Sequence, residues 1–441
     1  MIPTIYLAIT CLMALIMLRI VRTDGPLKYL VIGHFVFVFL GLIIRPLILW
    51  VIQPSPEFGD AFADARLIQN GSYNQALFEI GIRTLFWIFI FGLCLELSQR
   101  ILISRKQSQG TSKFNLGLTP ILILLFFTLL ANFIEYGGFF DSRVLTWISV
   151  SALPCVGLAV QVIFNQGFSG VHKLLMVSLI GSVALALSVM TTSKSPIMFF
   201  IFVVLLVNHI SKSGKSSLRL TPRFLSLAGF MMVGGYVVFT FIQELKDGEA
   251  LTSLNSEIGQ KYFGRFYSLY TILKRFDLFR AVSDVWYVGE GAWYSLEEYF
   301  QIMVSSLEWN YGTEAPNFGG QWAINVLQHS SDSTFAPVVS LSQSAFAEGW
   351  LLGGLSGMVL TSLLMSGIMV CVAVMITGTL FFRLIAFYII SSNSIFEGGV
   401  VANLESLSTG VRTGIVAWLA LAILMGLSQK PSRNQSEGNA S

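Results

Sequence analysis

Between residues 243 and 347 the chain carries Trp286, Trp293, Trp309 and Trp322, with Tyr262, Tyr267, Tyr270, Tyr287, Tyr294, Tyr299 and Tyr311. Aromatic rings stack on the apolar C–H face of a sugar and leave its hydroxyls free for hydrogen bonding. Trp286, Trp293, Trp309, Trp322 and Tyr267 are therefore candidate sugar-binding residues, although an aromatic belt at a bilayer edge uses the same types. In the same stretch, residues 258–282 read as a helix, because Tyr262, Phe266, Leu269, Leu273 and Phe276 step by three and four. Lys261, Arg265 and Arg275 lie within roughly 80° of one another on the neighbouring face, with Arg280 roughly 60° further round. A cationic stripe beside an apolar one suits a ligand with an anionic head and a lipid tail, since the guanidinium fork matches phosphate oxygens. Arginines snorkelling to lipid headgroups produce the same pattern. Three groups could accept a proton nearby. His329 lies in Gln328-His329-Ser330-Ser331-Asp332-Ser333, Asp332 stands three residues later, and Glu348 is at the mouth of the next apolar stretch. An imidazole titrates near pH 6.5, so it can take a proton at neutral pH.

The elements that must position these groups belong to a membrane protein. Of the 441 residues 54% are hydrophobic and 12% charged, with a mean hydropathy of +0.72; a soluble domain is about 25% charged. That excludes soluble, disordered and fibrous classes and leaves an all-α polytopic integral membrane protein. Eleven stretches approach the roughly 20 apolar residues a spanning helix needs: 3–20, 29–52, 79–98, 116–134, 144–164, 173–192, 196–210, 224–242, 348–376, 379–395 and 411–427. Residues 1–242 thus hold spans one to eight, 243–347 form a large external loop containing helices, 348–430 hold spans nine to eleven, and 431–441 are a polar tail. The loops 99–115 and 211–223 each carry four basic residues and no acid, which the positive-inside rule assigns to the cytoplasm. The amino terminus is then outside and the carboxyl terminus inside. Residues 1–20 have no basic leader and no small-residue cleavage site, so they read as a span and not as a removed signal. Cys11, Cys94, Cys155 and Cys371 all lie in apolar runs, which offers neither a disulfide framework nor a metal-binding cysteine cluster.

Ionisable residues within spans are costly and are retained for function or pairing. Arg45, Arg83, Arg143, Lys194 and Arg412, with Glu348, all fall near the outer ends of these stretches. Converging, the cations could hold a pyrophosphate; separately, they anchor at the interface or pair, as Arg412 could with Glu405 or Glu397. Lys194 is the most constrained. It tips a three-residue turn, Ser193-Lys194-Ser195, closed by Pro196 at the start of the next helix.

The hairpin Met190-Thr191-Thr192-Ser193-Lys194-Ser195-Pro196 resembles that of bacterial O-antigen and oligosaccharide repeat-unit polymerases (the Wzy type). The order of parts after the hairpin is also similar to theirs. A further span and a long external loop lead to Ser333-Thr334-Phe335-Ala336-Pro337, then to Ala345-Phe346-Ala347-Glu348-Gly349-Trp350 and Gly353-Gly354 at the start of a long span. The resemblance covers about residues 173–376 and departs from the family at Lys194, where arginine is usual. It implies a glycosyltransferase of the bacterial inner membrane that joins oligosaccharide units carried on undecaprenyl pyrophosphate, without cofactor or metal. A flippase and a chain-length regulator are its implied partners, and nucleic acid is not. In that chemistry Arg265, Arg275, Arg280 and Lys194, seconded by Arg143 and Arg412, would take up charge on the departing pyrophosphate. His329, Asp332 or Glu348 would be the general base.

Three alternatives stay open. An O-antigen ligase breaks the same bond with a different acceptor. A polyprenyl-phosphate-dependent glycosyltransferase could use Glu57, Asp60 and Asp64 in the 53–78 loop, where helical spacing puts Asp60 and Asp64 on one face. A lipid-linked oligosaccharide flippase or other transporter is expected to show two matching halves with helices broken near the midplane, and no matching halves are visible in the sequence.

Overall fold

The structure, a computed structural model, describes residues 1–21, 25–52, 73–106, 117–136, 143–166, 168, 170–191, 193, 195–211, 278–289, 295–307, 344–392 and 394–428. Among the described residues every regular element is helical. In chain order they are α1 (Ile2–Val21), α2 (Leu27–Phe39), a π-helical turn (Leu40–Ile44), α3 (Arg45–Ile52), α4 (Tyr73–Lys106), α5 (Leu118–Tyr136), α6 (Arg143–Val150), α7 (Ala152–Asn165), α8 (Gly170–Met190) and α9 (Ser195–Ser211). Then come α10 (Leu278–Val288), α11 (Leu296–Ser305), α12 (Ala345–Thr377), α13 (Leu380–Ser391), α14 (Ser394–Glu397) and α15 (Val400–Ser428).

Among the described residues, eight stretches are long and apolar enough to cross a membrane: Ile2–Ile20, Leu27–Val51, Asn74–Arg100, Leu118–Glu135, Ile148–Asn165, Gly170–Met190, Ala345–Thr377 and Val400–Gly426. Ser195–Asn208 and Leu380–Ser391 are shorter apolar helices. Each falls on an apolar stretch read from the sequence; the stretch 224–242 lies outside the described residues. The helical class follows from the solvent: in hydrocarbon every backbone N–H and C=O must be satisfied within the segment.

Several of these stretches are not simple rods. Pro46 has no N–H to donate, and its ring crowds the carbonyl four residues back, so the second stretch passes through the π-helical turn before α3. The stretch 379–395 is not one continuous helix. α13 stops at Ser391 and is succeeded by the one-turn α14 and Gly398-Gly399 before α15 begins, well ahead of residue 411 where the hydropathy places the last span. The helix expected over 258–282 is described only from Leu278 and continues to Val288.

Close packing is made at glycines, as expected where no hydrophobic force drives apolar helices together. α1 and α4 run parallel, Ile5 meeting Gly81 and Ile16 meeting Gly92. Phe396 of α14 sits over Gly33 of α2 and against the rings of Phe202 at 4.9 Å and Phe37 at 5.9 Å.

Candidate functional site

Ser344 caps α12, its Oγ accepting from the N–H of Ala347 at 3.1 Å. Residues 345–352 are buried throughout, and the helix breaks at Gly353-Gly354. Gly354, with φ 58° and ψ −122°, occupies backbone space that side chains forbid. Residues 355–377 then fold against the short arm. A Cβ on Gly349 would lie 2.7 Å from Cα of Met358 and meet Oγ1 of Thr361, and one on Gly357 would run into the Gly349 carbonyl oxygen. Two glycines thus bring the arms together backbone to backbone.

The short arm lies antiparallel to α4. The Phe346 ring is 5.4 Å from that of Trp87, and the Arg83 guanidinium lies 4.3 Å over Trp350, a cation–π geometry. Trp87 is the midpoint of the 27-residue apolar stretch Asn74–Arg100. The sequence puts Glu348 at the mouth of a span and at the start of one long helix; the structure places it in a buried short arm, between two residues, Phe346 and Trp350, that pack on Trp87 and Arg83 of α4. The turn at Gly353-Gly354 is the reason, because it makes the first eight residues of α12 a separate short arm on which residues 355–377 double back.

Glu348 is 1% exposed. Its Oε2 accepts from the Tyr299 hydroxyl at 3.1 Å and from the Val400 N–H at 2.8 Å; its Oε1 has no hydrogen-bond partner of good geometry among the described residues. Val400 opens α15, so its N–H is one of the donors a helix leaves unsatisfied, and the carboxyl also meets the positive end of the helix dipole. A second carboxyl, that of Glu405, is close enough to act on it electrostatically. Tyr299 belongs to α11, whose start is set by a capping box. The N–H of Glu298 donates to Ser295 Oγ at 3.2 Å, and the N–H of Ser295 donates to Glu298 Oε2 at 2.9 Å. Burial, and after it the neighbouring Glu348, hold the Tyr299 proton on well above the usual phenol range, so the hydroxyl is a neutral donor.

A second helix of the 243–347 segment docks alongside. In α10 all of Leu278, Phe279, Ala281, Val282, Ser283, Asp284 and Val285 are buried, with Leu278 against Gly41 of the π-helical turn. The Trp286 indole N–H donates to Glu79 Oε2 at 2.7 Å, and Gln75 donates to Glu79 Oε1 at 2.9 Å. On the other side of the arm, His34 Nδ1 is 2.7 Å from the Phe396 carbonyl oxygen, with its ring 5.2 Å from that of Phe91 and 5.9 Å from that of Trp87. His34 and Glu348 therefore hold the two ends of the segment 396–400.

Of the residues singled out in the sequence, Glu348, Tyr299, Arg83 and Trp286 join this packed region. Arg280 is half-buried on α10, six residues before Trp286. Arg412 is not brought to Glu348 along α15. It stands twelve residues, about 18 Å, beyond Val400, donating to Ser408 Oγ at 2.8 Å. Arg143 opens α6, with its side chain outside the described set. Lys194, Arg265, Arg275, His329, Asp332, Trp293, Trp309, Trp322 and Tyr267 lie outside the described residues, as do Glu57, Asp60 and Asp64. The sequence missed the pairings of Tyr299 with Glu348, Trp286 with Glu79 and His34 with Phe396. The one local signal was Glu79 and Arg83, four apart in an apolar run.

Among the described residues no group of three or more His, Cys, Asp or Glu side chains is arranged to hold a metal ion. Compared with family models, with curated proteins and with solved structures, the chain matches none of them.

Proposed function

We propose that this protein is a membrane glycosyltransferase that polymerises undecaprenyl-pyrophosphate-linked oligosaccharide units on the outer side of a bacterial inner membrane. The observation that carries this reading is the buried junction of Tyr299, Glu348 and Val400. It ties a helix of the 243–347 segment into the bundle, as a segment that must present aromatic and cationic groups in fixed geometry requires. In the proposed step a hydroxyl oxygen of the incoming unit attacks the anomeric carbon of the growing chain. The bond from that carbon to the pyrophosphate breaks, and its electron pair leaves with the phosphate. Arg265, Arg275, Arg280 and Lys194 neutralise the leaving charge, and His329 or Asp332 takes the hydroxyl proton. A carboxyl as buried as Glu348, already engaged through Oε2, is better suited to positioning Tyr299 and α11 than to reaching a sugar hydroxyl.

One observation favours a second reading. The broken helices at Gly353-Gly354 and Gly398-Gly399, with the buried Glu348 carboxyl held between them, are features of transport sites, and support a lipid-linked oligosaccharide flippase. Deleting the coding region and displaying the surface polysaccharide by size separates these readings. Polymerase function predicts that single units persist while the long ladder disappears. Loss of every surface unit supports the flippase, a ladder retained on its lipid carrier supports a ligase, and an unchanged ladder sinks all three.

A further inference from the structure

At Gly92 the parallel helices α1 and α4 touch, since a Cβ there would lie 2.7 Å from Cδ1 of Ile16. Around this contact they leave a groove of ≈ 590 Å³. Its walls are apolar, among them Leu12, Leu15, Phe89 and Leu93, and its polar end is formed by Arg19, Glu96 and Gln99. Glu96 accepts from Arg19 Nη1 at 3.3 Å and from Arg100 Nη2 at 2.7 Å. Two guanidiniums thus share one carboxylate, and a positive charge is left over. Their side chains are 78% and 74% exposed, so most of their donors face outward. The Gln99 Nε2 is buried with no acceptor among the described residues, a donor that the groove's own walls do not satisfy.

We propose that this groove binds an anionic phospholipid, its acyl chain along the apolar walls and its phosphate on Arg19 and Arg100, with the Gln99 amide turning out of the wall to donate to it. Charge selects the ligand: a zwitterionic lipid brings its own cation up to the two guanidiniums, and an anionic one does not. Snorkelling to bulk headgroups accounts for exposed arginines, but not for a buried amide donor among the groove's lining residues. The site lies at the end of α1 and α4 that the positive-inside rule assigns to the cytoplasm, the leaflet face rich in anionic lipid. The proposal is independent of the polymerase reading.

The test uses the full chain, purified in detergent, stripped of lipid and titrated with phosphatidylglycerol or phosphatidylcholine of identical chains while bound lipids are counted by native mass spectrometry. Phosphatidylglycerol is expected to bind about tenfold tighter, because phosphatidylcholine offers the same phosphate but brings its choline cation up to the two guanidiniums. Joint substitution Arg19→Gln and Arg100→Gln should erase that preference. Leu93→Trp fills the groove while keeping both guanidiniums, and should lower binding of phosphatidylglycerol. Gln99→Leu should weaken phosphatidylglycerol binding without touching either arginine, which keeps the proposal testable if the double variant fails to fold. Equal binding of the two lipids by the unaltered chain, or a preference that survives the double substitution, overturns the proposal. So does a lipid-free dimer, because a second copy would then be the occupant.

Discussion

Substituting Tyr299 by Phe and Glu348 by Ala, singly and together, measures the junction that docks α11. Tyr299 is 0% and Glu348 1% exposed, and their hydrogen bond spans 3.1 Å. Removing the Tyr299 hydroxyl leaves Glu348 its bond to Val400 at 2.8 Å, so Tyr299→Phe should cost about 1–2 kcal/mol. Glu348→Ala strands two buried donors at once, the Tyr299 hydroxyl and the Val400 N–H, at about 1–3 kcal/mol each, or about 2–6 kcal/mol together. Once Glu348 is gone the Tyr299 hydroxyl is a liability, and removing it should recover part of the loss. The cycle should therefore show a coupling of about 1–3 kcal/mol. The assay is unfolding by sodium dodecyl sulfate in mixed micelles, monitored by tryptophan fluorescence. If the single effects add to within about 0.5 kcal/mol, the two side chains do not meet in the folded protein, and the docking of α11 on the short arm is refuted.

Two glycines of α12 should respond oppositely to one substitution. Gly357→Ala drives a methyl into the Gly349 carbonyl and should destabilise by about 1–3 kcal/mol, whereas Gly367→Ala meets nothing within 4 Å and should stabilise by about 0.5–1 kcal/mol; equal effects in the same micelle assay would remove the packed arm. Ser295→Ala takes away the cap of α11 and should cost about 0.5–2 kcal/mol, read as increased proteolysis between residues 295 and 307 in folded protein; unchanged cleavage would count against the cap. Because Tyr299 holds its proton more tightly when folded, its contribution is fully present below the unfolded phenol value of about 10 and is lost as pH rises above it. The stability gap between the native chain and Tyr299→Phe should therefore narrow as pH rises above about 10; a gap that widens there would contradict the burial.

Much of the helical framework was legible before any coordinate. A bilayer demands long apolar segments whose backbone groups are satisfied internally, and both conditions are local. The same locality made the hairpin ending at Pro196 readable, since a proline's missing donor acts within one turn. Hydropathy could not see that α12 reverses at Gly354, because both of its arms are equally apolar and a direction change leaves composition untouched. Nor could it place Glu348: an apolar surface accepts many neighbours, and the choice was made by the glycines that let the arms touch. The polar contacts that define the candidate site join residues far apart in the chain, Glu348 to Tyr299 across 49 positions, Trp286 to Glu79 across 207 and His34 to Phe396 across 362. No spacing in the sequence encodes such pairs. They exist because burial leaves each donor and acceptor only the partners that packing brings within reach.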